Sequence, residues 1–386
     1  MAIRIRLLRF VAMTSVLLLF IDLFLSISTS NKNEASATLQ EVGRSSVKQV
    51  ASQEHKWNIK TTAAWLSGKQ RAFHRQSAAR RRMTLREKLR EDFPYDVRSV
   101  FPAFIWQTWK VGPDHKDFDE NLKGHMSTWT EQHPHYTHEI ITDDVSRLLM
   151  HHLFAKTPEV VEAYDAMPHA VLKADLFRYA ILLARGGTYT DVDTRCLKPI
   201  WEWVPPHFPN DTFGLVVGIE ADTHEDNWQR RLARPLQITQ WTIKAKSGHA
   251  ALVDVVASIT EAILVLKRQG LAASIQSAQV EDTTGPGLWT DVVFRHLGSD
   301  ESEKSLQGIS GGAINWREKL TGTKEQRQFG DVIVLPITSF SPGLGSMGSK
   351  PASDDMAMVQ HHFHGSWRNQ TGWKSIASDD AAPNPE

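Results

Sequence analysis

Two aspartates, Asp191 and Asp193, stand one residue apart directly after Gly186-Gly187-Thr188-Tyr189-Thr190. That block closes an apolar run carrying Asp175 and Arg178. A hard divalent cation takes oxygen ligands, and a diphosphate binds through such a cation. The block therefore points to a site that handles a nucleotide diphosphate. On a strand, residues i and i+2 share a face, so the sequence predicts that both carboxylates converge on one ion by alternation. Asp175 and Arg178 are three apart, neighbours on one helical face. A charged pair on a helix that is otherwise apolar must be paired or meet a polar ligand. Carboxylate and guanidinium together can hold sugar hydroxyls and a phosphate oxygen; a purely structural ion pair is the plainer reading.

A second cluster lies near the C-terminus, in Gln360-His361-His362-Phe363-His364-Gly365-Ser366-Trp367-Arg368. Three histidines in four positions can ligate a metal. A zinc hydrolase would need a companion motif with two histidines at i, i+4 on a helix, which the chain lacks. One histidine completing a carboxylate site is the more economical reading. Gly343-Leu344-Gly345-Ser346-Met347-Gly348 spells a dinucleotide fingerprint, but prolines flank it and no helix pattern opens there. Thr284-Gly285-Pro286-Gly287 reads as a tight loop before a helix, and Trp106 and Trp109 as core residues or base neighbours.

Positioning these groups takes strands and helices. Phe104–Trp109, Tyr136–Ile141, Phe213–Ile219 and Val332–Leu335 have strand composition. Thr142-Asp143-Asp144 offers a helix cap before Val145, Leu148 and Leu149. Pro168 opens and Gly186 stops a largely buried helix, and Ala250–Leu266 is amphipathic. Strands alternating with helices predict a layered α/β fold with a mostly parallel sheet.

The 386 residues suffice for one large domain or two smaller ones. Lys plus Arg and Asp plus Glu both number 44, so no overall charge argues for nucleic acid. Cys196 is the only cysteine, which excludes an intramolecular disulfide and a cysteine zinc site. Phe10–Ile27 is an apolar run behind Arg4, Arg6 and Arg9. A cleaved signal peptide would have a shorter apolar region and a small-x-small exit, so the run predicts instead an uncleaved signal-anchor helix over 10–27, with a cytosolic tail at 1–9 and a lumenal body. Asp22 is costly inside lipid and is expected near the far interface. Residues 28–98 read as a stem, polar and then helical from Gln70 to Glu91, with a folded domain over 99–374 and a disordered tail over 375–386. Asn210-Asp211-Thr212 and Asn369-Gln370-Thr371 are glycosylation sequons, in keeping with a secretory route.

Assembled in order, these blocks resemble the fungal Golgi mannosyltransferases that start outer-chain mannan, within the glycosyltransferase family sharing the D-x-D sugar-binding region. The likeness covers about Phe101 to Trp373. It rests on Phe104-Ile105-Trp106-Gln107-Thr108-Trp109-Lys110, Lys173-Ala174-Asp175-Leu176-Phe177-Arg178-Tyr179, the Gly186–Asp193 block, Val217–Asp222, Gln240-Trp241-Thr242, Thr284–Thr290 and His362–Trp367.

The resemblance implies a GT-A fold (Rossmann-like, mostly parallel central sheet) behind the transmembrane helix and stem. It implies single-pass type II topology in the Golgi membrane, Mn2+, and GDP-mannose as donor. The reaction implied adds an α-1,6-linked mannose to an N-glycan core with retention of configuration. By this carry-over Asp191, Asp193 and Arg178 are catalytic, and Asp191, Asp193 and His362 hold the metal, with His361 and His364 as alternatives to His362. Gln107, Thr108, Asp175, Arg178, Tyr189, Asp191 and Trp367 contact substrate, and Glu220 and Asp222 are candidates for a catalytic or acceptor-side role. The partners implied are a high-mannose N-glycan on glycoproteins and the membrane, and a complex with other Golgi mannosyltransferases is compatible. Transfer to inositol-phosphoceramide, another mannan linkage, or a non-catalytic carbohydrate-binding role are the competing readings.

Overall fold

In the computed structural model the chain is described over residues 80–275, 279–299 and 314–363. The expected anchor, both tails, most of the stem, His364 and Trp367 lie outside the described residues; among the described residues no helix is long and apolar enough to cross a membrane.

An eight-stranded sheet has the order β2-β1-β3-β7-β5-β9-β8, with β6 paired to β5. The strands are β1 Phe104–Trp109, β2 Thr137–Thr142, β3 Gly187–Thr190, β5 Leu215–Asp222, β6 Leu236–Ile238, β7 Thr242–Ala245, β8 Arg327–Phe329 and β9 Val332–Leu335. From the pairings, β1, β2, β3, β5 and β9 share one direction and β6, β7 and β8 oppose it. The sheet is mixed but parallel in its majority, the layered α/β arrangement expected. A separate antiparallel pair joins β4, Thr194–Cys196, to β10, Val359–His361.

Alternation along the strands divides the core. Leu215, Val217, Ile219 and Ala221 of β5, with Val332 and Val334 of β9, face a layer of helices. These are α3 Asp143–Leu153, α4 Pro158–Ala166, α5 Ala170–Arg185, α6 Ala250–Arg268 and α7 Pro286–Ser299. Val216, Ile333 and Leu335 face the other way. There they meet Trp129 of α2 (Glu120–Gln132), Trp203, Phe340 and Val359. Helix α5 ends at Gly186 (φ +66°), followed by Gly187 (φ +101°). A side chain at Gly187 would sit 2.8 Å from the Phe104 carbonyl. The two glycines thus end the helix and let β3 lie against β1.

The expected boundary between stem and domain at residue 99 is corrected. A short helix, α1 Leu85–Asp92, has a capping box at Thr84 and Glu87. It is fastened to the body through Arg86 with Asp254 and Glu261, and Lys88 with Glu159, while Leu89 is fully buried. Tyr95 then donates to Asp331 at 2.6 Å. Lys246 donates to the carbonyls of Val97 and Asn210. Charges that read as a solvated stem are therefore spent on partners distant in sequence.

Lys244 of β7 is an expensive member of this core. Its ammonium lies 4.4 Å from the Phe101 ring centre, and burial, then the neighbouring Lys246 charge, push it down to about 8. Between that value and an unfolded value of about 10.4 the unfolded chain binds more protons, so stability rises with pH across the interval. Holding the charge at pH 7 costs about 3 kcal/mol. Lys244→Met is expected to raise Tm by roughly 5 °C at pH 7, with a smaller gain near pH 10. Calorimetry at both pH values checks this; a lowered Tm at pH 7 would contradict it.

Candidate active site

The polar groups gather at the carboxyl ends of the parallel strands, where ligands of open α/β sheets bind. Strand β3 ends at Thr190, and Asp191 to Asp193 form a tight turn rather than a continuation of the strand. The Thr194 N–H donates to the Asp191 carbonyl at 3.1 Å, and its hydroxyl donates to the same oxygen at 2.6 Å. Val192 is buried with Phe118 and Leu122, pinning the turn from below. The carboxylates are brought together by this turn, a correction to the expected strand alternation.

Asp193 Oδ1 lies 3.1 Å from His361 Nε2. Asp191, Asp193 and His361 offer ligand atoms all within 4.8 Å of one another. A six-coordinate ion about 2.1 Å from its ligands sets neighbouring ligands about 3 Å apart and opposite ones about 4.2 Å apart. Two carboxylates and one imidazole therefore fit a divalent cation such as Mn2+ in spacing and donor type. Burial opposes a charge on His361, but the carboxylates of Asp193, Asp191 and Glu220 outweigh it and lift the imidazole above its ordinary value. A cation would take over the role of that proton.

His361, rather than the expected His362, is the histidine in this group. In the β10–β4 pairing His361 stands opposite Thr194, two residues beyond buried Val359. His362 turns outward and stacks on His125, with ring centres 4.1 Å apart; its N–H donates to the Asp193 carbonyl.

Asp191 is also held from behind. The Tyr189 hydroxyl donates to Asp191 Oδ1 at 2.8 Å and so must accept from the Thr108 hydroxyl at 3.0 Å. Arg178 Nη2 lies 3.3 Å from Asp191 Oδ1 and 3.2 Å from Asp175 Oδ1, with its guanidinium 5.0 Å from the Tyr189 ring centre. Asp175 Oδ2 accepts from Thr284 at 2.8 Å. Burial pushes the Asp175 carboxyl up to about 6 in spite of Arg178 and Thr284. Asp191 is raised by burial and by Asp193, against the pull of Arg178.

The structure thus brings together Asp175, Arg178, Tyr189, Asp191, Asp193 and Thr108. It changes two of the expected roles. Tyr189 is fully buried and holds Asp191 instead of facing a substrate. Gln107 is likewise fully buried; its amide donates to the Asp191 carbonyl at 3.2 Å and accepts from His138 at 2.8 Å. Burial holds the His138 imidazole down to about 4, so it stays neutral and fixes that amide. Trp106 is core and donates to the Gly186 carbonyl.

Sequence reasoning missed Thr284 as the partner of Asp175, taking its loop for a turn alone. It also missed Trp241, whose ring lies 4.6 Å from that of His361. Arg178 Nε, Trp241 Nε1 and His361 Nδ1 are buried without a hydrogen-bond partner among the described residues. Buried polar groups rarely stay so unless a ligand or water meets them.

Residues 119–211 match the family described as glycosyltransferase sugar-binding region containing DXD motif. The chain is 41% identical over 297 residues to the initiation-specific alpha-1,6-mannosyltransferase of Candida albicans, covering 74% of this chain and 77% of that protein. It is 38% identical over 280 residues to the Schizosaccharomyces pombe protein of the same name, covering 72% and 66%. For the Saccharomyces cerevisiae protein of that name the identity is 30% over 392 residues, covering 74% and 82%. With the D-x-D turn at the centre of its polar site and this kinship over most of its length, the chain belongs to the initiation-specific α-1,6-mannosyltransferase family of glycosyltransferases.

Proposed function

We propose that the chain transfers mannose from GDP-mannose to the core of an N-linked high-mannose glycan. The new linkage is α-1,6, formed with retention, and it starts an outer mannan chain. The work is done in the Golgi lumen, with the chain anchored by residues 10–27. The observation that carries this reading is the Asp191, Asp193 and His361 donor set beside the buried Asp175–Arg178 pair. Kinship with proteins named for the same transfer supports the choice of sugar and linkage.

Asp191, Asp193 and His361 would hold Mn2+, which when bound supplies Lewis-acid neutralisation of a leaving diphosphate. The protein's own groups do the rest. Tyr189 and Gln107 fix Asp191 from its side chain and its backbone. Arg178 presents an unpartnered Nε to a phosphate or sugar oxygen, while Asp175, oriented by Thr284, is placed to accept from a sugar hydroxyl. Such fixed charges need no reorganisation as the transition state forms, which is the main source of rate at sites of this type. Positioning of the acceptor supplies much of the remainder.

A donor panel tests the reading: full-length protein with GDP-mannose, GDP-fucose, UDP-glucose and UDP-N-acetylglucosamine, a high-mannose acceptor, and linkage analysis of the product. The expected result is an α-1,6-mannosylated glycan from GDP-mannose alone, lost on chelation and restored by Mn2+. Preference for another donor, or for inositol-phosphoceramide as acceptor, would overturn it.

A further inference from the structure

Strand β5 ends in two carboxylates whose surroundings differ. Alternation buries Leu215, Val217, Ile219 and Ala221 against the helices, so Glu220 and Asp222 face the side where Trp241 and β10 lie. Asp222 accepts the Gly322 N–H at 2.7 Å and so anchors a neighbouring loop. Glu220 is only 7% exposed and accepts from Gln237 Nε2 at 3.0 Å. Gln237 cannot turn its amide over, because its Oε1 accepts the N–H groups of Ala233 and Arg234 at 3.0 and 3.2 Å. The Nε2 end is thereby committed to Glu220.

Glu220 is not one of the three groups clustered within 4.8 Å at the metal side. It lies at the carboxyl end of β5, and β7 alone stands between that strand and β3, which leads into the D-x-D turn. A donor sugar whose diphosphate sits on the cluster would place its anomeric carbon about one sugar ring away, and an attacking hydroxyl must lie beside that carbon. A nearly buried carboxylate held in orientation by an amide is suited to receive such a hydroxyl.

Resting on the function proposed above, we propose that Glu220, oriented by Gln237, is the catalytic residue that binds the attacking hydroxyl of the mannose acceptor. As the bond from that hydroxyl oxygen to the anomeric carbon forms, on the face from which the diphosphate departs, the bond from that carbon to the diphosphate breaks, so configuration is retained. The electron pair leaves on the phosphate oxygen, and the hydroxyl proton passes to Glu220 and then to solvent. Gln237 acts through Glu220 and is a positioning residue.

The test uses full-length protein with Mn2+ and three readouts: transfer to a high-mannose acceptor, slow hydrolysis of GDP-mannose without acceptor, and the Kd for GDP-mannose. Glu220→Gln keeps the shape and can still accept from Gln237. It should lower kcat for transfer by roughly 10²–10³-fold, leaving donor Kd within about twofold and hydrolysis measurable. Gln237→Leu should raise the acceptor KM and lower kcat about tenfold at unchanged donor Kd, a split that a fold defect would not give. Unchanged transfer in Glu220→Gln would overturn this proposal alone, as would parallel loss of donor binding. A wild-type chain that binds no GDP-mannose would overturn the donor assignment and this proposal with it.

Discussion

Asp193→Asn is expected to abolish transfer, by roughly 10³-fold or more, while the protein stays folded. The carboxylate is one of three ligand groups in the cluster, and its Oδ1 is the atom facing His361. An amide keeps the size and one acceptor but loses the charge, and with it much of the affinity for a hard dication. The charge matters twice. It attracts the ion, and through the ion it offsets the charge that develops on the leaving group. The fold should tolerate the change because the amide keeps an oxygen that can accept from His361 Nε2, and the backbone carbonyl of residue 193 still accepts the His362 N–H at 3.0 Å. Without Asp193 the imidazole also loses the largest of the charges that lift it, so its hold on a proton in the apo variant should weaken. The measurements are transfer rate across a Mn2+ titration, Mn2+ affinity by calorimetry, and Tm. Transfer above a tenth of wild type at saturating Mn2+ would show that the ion, if bound, sits elsewhere.

Much of this site could be read along the chain. The stretch from Ala170 to Arg185 is apolar on most sides and ends in two glycines, and the structure buries nearly all of its central residues. The charged pair inside it stood out because burial of a charge demands a partner. Other features depend on tertiary pairing and were not legible. Four residues, Thr242–Ala245, form the strand that runs against its neighbours between β3 and β5; periodicity identifies a strand but not its direction. The choice between His361 and His362 is a question of register, since a shift of one residue exchanges the faces of a strand. Val359, apolar and two positions before His361, was the local signal for which face turns inward. Gln107 was expected to contact substrate only because the family resemblance implied it. Its burial follows from Thr130, His138 and the Asp191 carbonyl forming one chain of hydrogen bonds with it. The segment from Arg80 to Arg98 looked like a spacer because the acidic partners of its Arg86 and Lys88, namely Asp254, Glu261 and Glu159, lie far away in the sequence.

Arg178→Met should separate two jobs that the guanidinium performs at once. Its Nη2 atom serves both Asp175 and Asp191, while its Nε is buried with no partner. Burial works against the charge on Arg178, and Asp191, Tyr189 and Asp175 more than compensate, so it stays protonated at any working pH. If the free Nε meets the donor, its loss removes a charge-assisted bond aimed at a developing negative charge, worth about 3–4 kcal/mol or roughly 10²–10³-fold in kcat. Metal binding should move the other way. Arg178 competes with a cation for Asp191, so removing it should leave Mn2+ affinity equal or tighter. The variant should still fold. Asp175 already sits at about 6, and taking up a proton at pH 7 costs about 1.4 kcal/mol. The neutral acid can keep its bond to Thr284. The expected pattern is therefore a large loss of transfer, a small loss of Tm, and undiminished Mn2+ binding, followed by transfer kinetics, thermal melts and calorimetry on one preparation. Parallel weakening of metal binding and transfer would instead mean that Arg178 serves only to hold Asp191 in place. Transfer within tenfold of wild type would mean that neither job limits the reaction.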